Sequence, residues 1–283
     1  MRTTRGAQPL VSIVIPVFNG ENYLRDLIES IQRQTHTNLE IIFTEGGGTD
    51  SSQKIIAGYA NADPRIKLIP TEKQITAAEN WTKATRAASA DYIKLVCQDD
   101  FLTPDSIEKQ LQDLINFPNA VMAVSQRLVV DRNRKVLLAK HGLAGVKGKE
   151  IEGSRIIKIC YSRGTNVIGE PVAVLFRRSP LLAAMPWSDH NPLMLDLNTY
   201  QKVAPFGTVV TRHESLGAFR VSASSWSTHL AKFQLDQTKQ WQRAYAQENP
   251  ATKVSRARAA VGRHLQVSLR RTGYALLKAK GNL

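Results

Sequence analysis

Through residues 11–117, short apolar runs alternate without interruption with apolar residues at helical spacing, and few architectures accept that rhythm. Val11 to Pro16, Leu39 to Phe43, Ile66 to Ile69 and Tyr92 to Val96 read as strands. Between them, Tyr23, Leu24, Leu27, Ile28 and Ile31 recur at helical spacing, Asp50 with Gln53 resembles a capping box opening a second helix, and Ile75 to Ala88 forms a third. A further helix starts at Thr103-Pro104 and runs to about Phe117, and Asn19 is placed to cap the first. Near-continuous apolar strands alternating with helices predict an α/β fold: a Rossmann-like, mostly parallel sheet with helices on both faces and right-handed crossovers.

The strand Tyr92–Val96 ends in two adjacent carboxylates, Asp99 and Asp100. In open α/β sheets ligands bind at the carboxyl ends of strands, and neighbouring carboxylates repel unless a cation or donors neutralise them. A divalent cation bridging them to a diphosphate meets that demand, and a solvated turn before a capped helix is the plain alternative. The second strand likewise ends in a loop, Glu45-Gly46-Gly47-Gly48-Thr49-Asp50, whose glycines let backbone approach a ligand or simply make a flexible turn.

After residue 117 the rhythm changes. Val121–Val130 and Lys135–Ala139 flank Asp131-Arg132-Asn133-Arg134 as a hairpin, and Gly142–Gly153 reads as a mobile glycine- and lysine-rich loop. Val172–Phe176 is another strand, Leu193–Val203 a helix with Asp196 near its start, and Thr208–Thr211 and Leu216–Val221 two closing strands. The expected organisation is an extension at 1–9, a ligand-binding half at 10–115, a second half of the same domain at 116–235, and a helical tail at 236–283.

The net charge of +14 is uneven: from Ala251 onward there are eight Lys/Arg and no acid, leaving thirty basic against 24 acidic residues elsewhere. On a helical projection Val254, Val261, Leu265, Leu269 and Leu276 fall on one side of that tail and Arg256, Arg263, Arg270 and Lys278 roughly opposite. Arg258 sits on the apolar side, and Gly262 and Gly273 weaken the helix. Such a helix either lies on an anionic membrane surface or packs its apolar side on the main domain. No recognisable nucleic-acid motif accompanies the charge, so no nucleic acid is expected. Two cysteines, Cys97 and Cys160, are too few for a disulfide scaffold and suit a reducing compartment. Arg2 and Arg5 before an apolar run mimic a signal peptide, but Pro16 and the following Asn19-Gly20-Glu21-Asn22 mark that run as a strand. No apolar run is long enough to span a bilayer.

Taken together, Val11-Ser12-Ile13-Val14-Ile15-Pro16-Val17-Phe18-Asn19-Gly20 with Tyr23-Leu24, then Ser30-Ile31 and Gln34-Thr35, resembles the opening of the family-2 inverting glycosyltransferases of the GT-A fold. Glu40-Ile41-Ile42 leading to Gly47 and Thr49-Asp50, then Asn80-Trp81, and Asp91 through Gln98-Asp99-Asp100 to Pro104-Asp105 continue the pattern. Gly169-Glu170-Pro171, Asp196 and Phe219-Arg220-Val221 follow in the family's order, so the resemblance covers roughly residues 10–230. The chain departs from the pattern at Cys97, where an acid is common, and at Glu45-Gly46, where the family has two aspartates. It departs again at Ser222, which stands where a histidine is common, with His213 and His229 as candidate substitutes.

The resemblance implies a transferase that moves a sugar from a nucleotide-diphospho-sugar to an acceptor hydroxyl with inversion. Pro16, Val17, Phe18, Asn19, Glu45, Gly47, Asn80 and Asp99 would hold the nucleotide, Asp99 and Asp100 would hold Mg2+ or Mn2+, and Asp196 would be the general base, with Asp189 as a rival. Glu170, Trp187 and Arg220 would lie near the sugar or acceptor; Trp81 and Trp226 read as core or rim. The expected acceptor is a cell-surface glycan or its lipid-linked precursor, with the enzyme in the cytoplasm and touching the inner membrane face through its tail. A catalytically silent nucleotide- or glycan-binding protein of the same fold is the alternative, motivated by the departures at Cys97, Gly46 and Ser222.

Overall fold

The computed structural model describes residues 8–222, 231–252 and 254–279. Four parallel strands, β1 (Val11–Val17), β2 (Leu39–Glu45), β3 (Ile66–Ile69) and β4 (Tyr92–Leu95), form one half of the sheet. They alternate with helices α1 (Leu24–Gln32), α2 (Ser52–Ala62) and α3 (Ala77–Ala87). β1 is buried along its whole length because both its faces are covered. Val11, Ile13, Ile15 and Val17 join the core under α1, α2 and α4 (Ser106–Asn116), whereas Val14 joins the core shared with α3.

The second half extends the sheet with β5 (Phe101–Leu102), β6 (Ala120–Val130), β7 (Val136–His141), β8 (Glu150–Glu152), β9 (Val174–Arg177) and β10 (Thr208–Arg220). The main path runs β3-β2-β1-β4-β9-β6-β10-β5, with β7 on β6 and β8 on β10. β9 lies antiparallel to both β4 and β6, so one sheet joins both halves. Helices α5 (Gly153–Arg163), α6 (Arg178–Ala183), α7 (Leu195–Val203), α8 (Gln234–Glu248) and α9 (Arg256–Ala279) complete the described chain.

Several local expectations are corrected. Asn19 does not cap α1; it adopts φ 51° and its Oδ1 accepts the Thr49 N–H at 2.9 Å, pinning the β2 loop instead. The capping box falls at Thr76 and Glu79 on α3, not at Asp50 and Gln53, because Gln53 turns to donate to Glu45 at 2.9 Å. The two closing strands are one strand, β10, kept continuous by irregular register between Arg212 and Ala218. The Gly142–Gly153 loop contains β8 and buries Leu143 and Val146, so it is anchored.

The tail helix is also oriented unexpectedly. α9 turns Val261, Leu265 and Leu269 outward, at 69, 56 and 58% exposure, and packs its arginine-bearing side on the domain. A side chain at Gly262 would meet the Ser162 carbonyl at 2.3 Å, and one at Gly164 would meet Arg263 Cα at 2.4 Å, so these glycines allow α5 and α9 to touch backbone to backbone. Arg263 then donates to Gln242 of α8. Leu276 and Lys278 belong to the helix, but their side chains fall outside the described ones.

Candidate active site

The carboxyl ends of β1 and β2 form one wall. Val17 O accepts the Gly46 N–H at 2.8 Å and Asn80 Nδ2 at 3.0 Å, tying the β1 end, the β2 loop and α3 into one unit. A side chain at Gly46 would come within 2.9 Å of Asn80 Nδ2 and 3.3 Å of Val17 O, so glycine suits this close approach. Glu45 is buried, and its carboxylate accepts the Gly47 and Gly48 N–H groups at 3.0 and 2.7 Å, so it shapes the loop from within. Gly47 holds φ +84°, and a side chain there would meet the Gln74 backbone at 2.6 Å. Phe18, 41% exposed, is fixed through its backbone: its N–H donates to Gln98 Oε1 at 2.7 Å, and its carbonyl accepts Gln98 Nε2 at 2.9 Å. Pro16 is buried in β1 below this edge.

The turn after β4 carries the carboxylate pair. Asp100 is 1% exposed, and its Oδ1 accepts the Arg220 N–H at 3.1 Å while its Oδ2 has no hydrogen-bond partner among the described residues. Burial pushes Asp100 well above the usual carboxylate range, and the neighbouring Asp99 charge adds to it; burial likewise raises Asp99. Cys97 lies among the same acids, and burial followed by Asp100 and Asp99 pushes its thiol well up. An acid in its place would add another negative charge to this cluster.

Asp99 faces a cavity of about 180 Å³ that Glu170 and Asp196 also line. Asp196, in the first turn of α7, accepts Asn166 Nδ2 at 2.8 Å and its neighbour's Leu197 N–H at 2.7 Å. Burial, then the charge of Glu170, pushes its carboxyl up to about 7. Glu170 forms an ion pair with Arg127, whose side chain is 3% exposed. Burial, the largest single influence, opposes the Glu170 charge, but Arg127, a backbone hydrogen bond, His141 and Arg270 together hold this carboxyl below its ordinary value. Gly169 makes room for that pair, since a side chain there would meet Arg127 at 2.5 Å. Trp81, Arg127, His141, Asn166 and Arg270 line the cavity as well, and none was singled out for the site by sequence reasoning. Burial, with Arg127 and Arg270, lowers the His141 imidazole below its ordinary value.

Four candidate residues lie elsewhere. Trp187 is 2% exposed; its indole donates to Thr85 at 2.9 Å and stands edge-on to Trp81, so it supports Trp81 from the core instead of reaching an acceptor. Arg220 is also 2% exposed and donates to Asp99 O at 2.8 Å, Arg132 O at 2.9 Å and Asp26 at 2.9 Å. With its guanidinium over Tyr23 at 4.6 Å, it clamps the carboxylate turn from behind. Asp189 and His213 are exposed and do not line the cavity. Trp226 and His229 lie outside the described residues.

The structure thus brings Asp99, Glu170 and Asp196 to one cavity, whereas Pro16, Val17, Phe18, Asn19, Glu45, Gly47, Asn80 and Asp100 do not line it. Residues 12–181 match the glycosyl transferase family 2 model. The chain belongs to glycosyl transferase family 2. It is 39% identical over 109 residues to an uncharacterized glycosyltransferase of Haemophilus influenzae, covering 38% of this chain and 43% of that protein. It is 37% identical over 106 residues to the chondroitin synthase of Escherichia coli, covering 37% of this chain and 15% of that protein. The chain thus matches less than half the length of these relatives. Among solved structures, S. aureus TarS 1-349 in complex with UDP aligns over 87% of this chain and 76% of that one, at TM-score 0.60 and 14% identity. The mannosyltransferase PcManGT of Pyrobaculum calidifontis, in complex with GDP-Man and Mn2+, aligns over 95% and 81%, at TM-score 0.57 and 14% identity. Both likenesses establish the GT-A type fold.

Proposed function

We propose that this chain transfers a sugar from a nucleotide-diphospho-sugar to an acceptor hydroxyl with inversion, in the assembly of a cell-surface polysaccharide or glycolipid. The single observation carrying this reading is that Asp99 and Asp196 line one cavity from different elements, with Asp196 raised to about 7. Residues 10–115 would serve the donor and 116–235 the acceptor, with the Pro16–Asn19 edge and the Glu45–Gly48 loop flanking the base and ribose. TarS binding UDP supports a uridine donor, and PcManGT binding GDP-Man keeps guanosine in the test.

Asp196 takes the proton from the acceptor hydroxyl as its oxygen attacks the anomeric carbon. The bond from that carbon to the diphosphate breaks, its electron pair leaves with the nucleoside diphosphate, and the anomeric configuration inverts. Asn166 and the Leu197 N–H orient the receiving carboxylate, and Trp81 supplies an apolar wall.

Mg2+ or Mn2+ fits the donor side. Among the described residues no group of three or more His, Cys, Asp or Glu is arranged to hold a metal. Divalent ions at phosphate sites, however, commonly use one or two carboxylates, with substrate oxygens and water completing the shell. Asp99 and the unpartnered Asp100 Oδ2 would supply those carboxylates. The cation would stabilise charge on the departing diphosphate.

A thermal-shift panel of UDP, GDP and their sugars, with and without Mn2+, tests this on the intact chain and on Asp99→Ala/Asp100→Ala. A metal-dependent rise in Tm with one nucleotide, lost in the double variant, is expected. No shift with any nucleotide under either condition overturns the donor assignment.

The exposed Val261, Leu265 and Leu269 of α9 support a peripheral position on an anionic membrane, where a lipid-linked acceptor would be presented. Among the described residues no helix is long and apolar enough to cross a membrane.

A further inference from the structure

Two arginines line the cavity beside Asp99, Glu170 and Asp196, and they are used differently. Arg127 is committed to Glu170, but Arg270, which reaches the same cavity from the middle of α9, makes no hydrogen bond or ion pair among the described residues. It is only partly exposed, and its charge is felt by both His141 and Glu170. The packing of α9 delivers this arginine. The helix docks through Ala259, Gly262, Arg263 and Val267 and leaves three large apolar side chains in solvent. A helix placed only to bury hydrophobic area would be turned the other way.

We infer that Arg270, with His141 beside it, binds an anionic group of the acceptor, a phosphate or a sugar carboxylate close to the hydroxyl that Asp196 deprotonates. The inference rests on the transferase reading and names its acceptor class. A guanidinium offers paired donors that match the oxygens of either anion. His141, at the end of β7, lines the same cavity, and its carbonyl accepts Arg127 at 3.3 Å. The donor diphosphate would be served by a different element, the Asp99 turn after β4. One helix would then do two things: its outer side would meet the membrane, and its inner side would read the acceptor's charge.

The test uses the full chain saturated with UDP and Mn2+, so that the donor side is filled, and titrates three probes by calorimetry: glucose 6-phosphate, glucuronate and methyl glucoside. At least one charged sugar is expected to bind about tenfold more tightly than methyl glucoside, as a charge-assisted hydrogen bond in a partly buried site provides. That preference should disappear in Arg270→Ala, survive in part in Arg270→Lys, and shrink with rising salt. The phosphate and carboxylate arms distinguish the two anions. Equal binding of all three probes overturns the inference, as does a preference that persists in Arg270→Ala. A tenfold loss of UDP affinity in Arg270→Ala, with the sugar preference unchanged, also overturns it by assigning the arginine to the donor. Failure of the donor reading shows separately, as absence of UDP binding to the unmodified chain.

Discussion

Asn166 Nδ2 donates to Asp196 Oδ2 at 2.8 Å, while Asn166 Oδ1 accepts the Ile168 and Gly169 N–H groups at 3.0 Å each. The loop that carries Glu170 therefore also aims the carboxylate on α7. A hydrogen bond to the charged form favours that form, so Asn166 holds the Asp196 pKa lower than burial alone would. Transfer should rise with pH through about 7 as Asp196 loses its proton. In Asn166→Ala that rising limb should move to higher pH. A limb that stays in place in kcat/KM profiles would count against the link.

Asp196→Asn separates chemistry from stability. Losing a general base should lower kcat by about 10²- to 10⁴-fold with donor affinity retained. The folded-state pKa lies above the unfolded one, so this group favours the fold while protonated and loses that contribution as pH rises from about 4 to about 7. Above that window the native carboxylate opposes folding and an amide does not. The variant should melt higher than the unmodified chain at pH 8, by on the order of a few degrees, and should show no such gain at pH 4. Two melting curves at each pH decide it.

Arg220 supports the donor site without touching it. Arg220→Met removes donors from Asp99 O, Arg132 O and Asp26 and leaves buried Asp100 beside an apolar chain. Breaking a buried charge network of this kind costs about 3 kcal/mol or more. Urea titration should show that loss together with weaker nucleotide binding. Full stability would place the network's weight elsewhere.

Gly47→Ala probes the loop that Glu45 shapes. The added carbon would sit 2.6 Å from the Gln74 backbone at φ +84°, so both sterics and backbone strain oppose it. A cost of about 1–3 kcal/mol is expected, with a matching fall in Tm and in nucleotide affinity. Unchanged nucleotide affinity would detach this loop from the donor site.

The first four strands were legible because strands covered on both faces are apolar along their length, and the carboxylate pair was legible because it ends one of them. Side-chain destinations were not. Trp187 and Arg220 are turned inward by partners far off in sequence, Thr85 and Asp26, which no local pattern records. Arg127 and His141 are cross-strand partners in the β6–β7 hairpin, but Arg270 joins them from α9, far along the chain, and no local pattern records that meeting. Asn166 did carry a signal, since an Asn two to three residues before Ile168-Gly169 can bond its own following backbone. The projection of the tail grouped Val261, Leu265 and Leu269 apart from Arg263 and Arg270, as in α9, but it put Val254, which packs on the core, with the outward side, and it could not say which side faces the protein. Gly262 held that answer: a glycine inside a helix weakens it unless another backbone comes close, and α5 does.

The outward side of α9 gives the last prediction. Val261, Leu265 and Leu269 stand one turn apart and are exposed, with Arg258 and Arg271 also exposed on the helix. Insertion of three such side chains into the headgroup boundary contributes about 1 kcal/mol or more each, and each nearby arginine adds about 1 kcal/mol on an anionic leaflet. The chain should therefore co-sediment with vesicles containing phosphatidylglycerol, much less with pure phosphatidylcholine, and less in both as salt rises. Val261→Ser/Leu265→Ser/Leu269→Ser should reduce that binding at least tenfold while leaving the melting temperature nearly unchanged, because more than half of each side chain already lies in solvent. Unaltered sedimentation of the triple variant would remove α9 from the membrane contact.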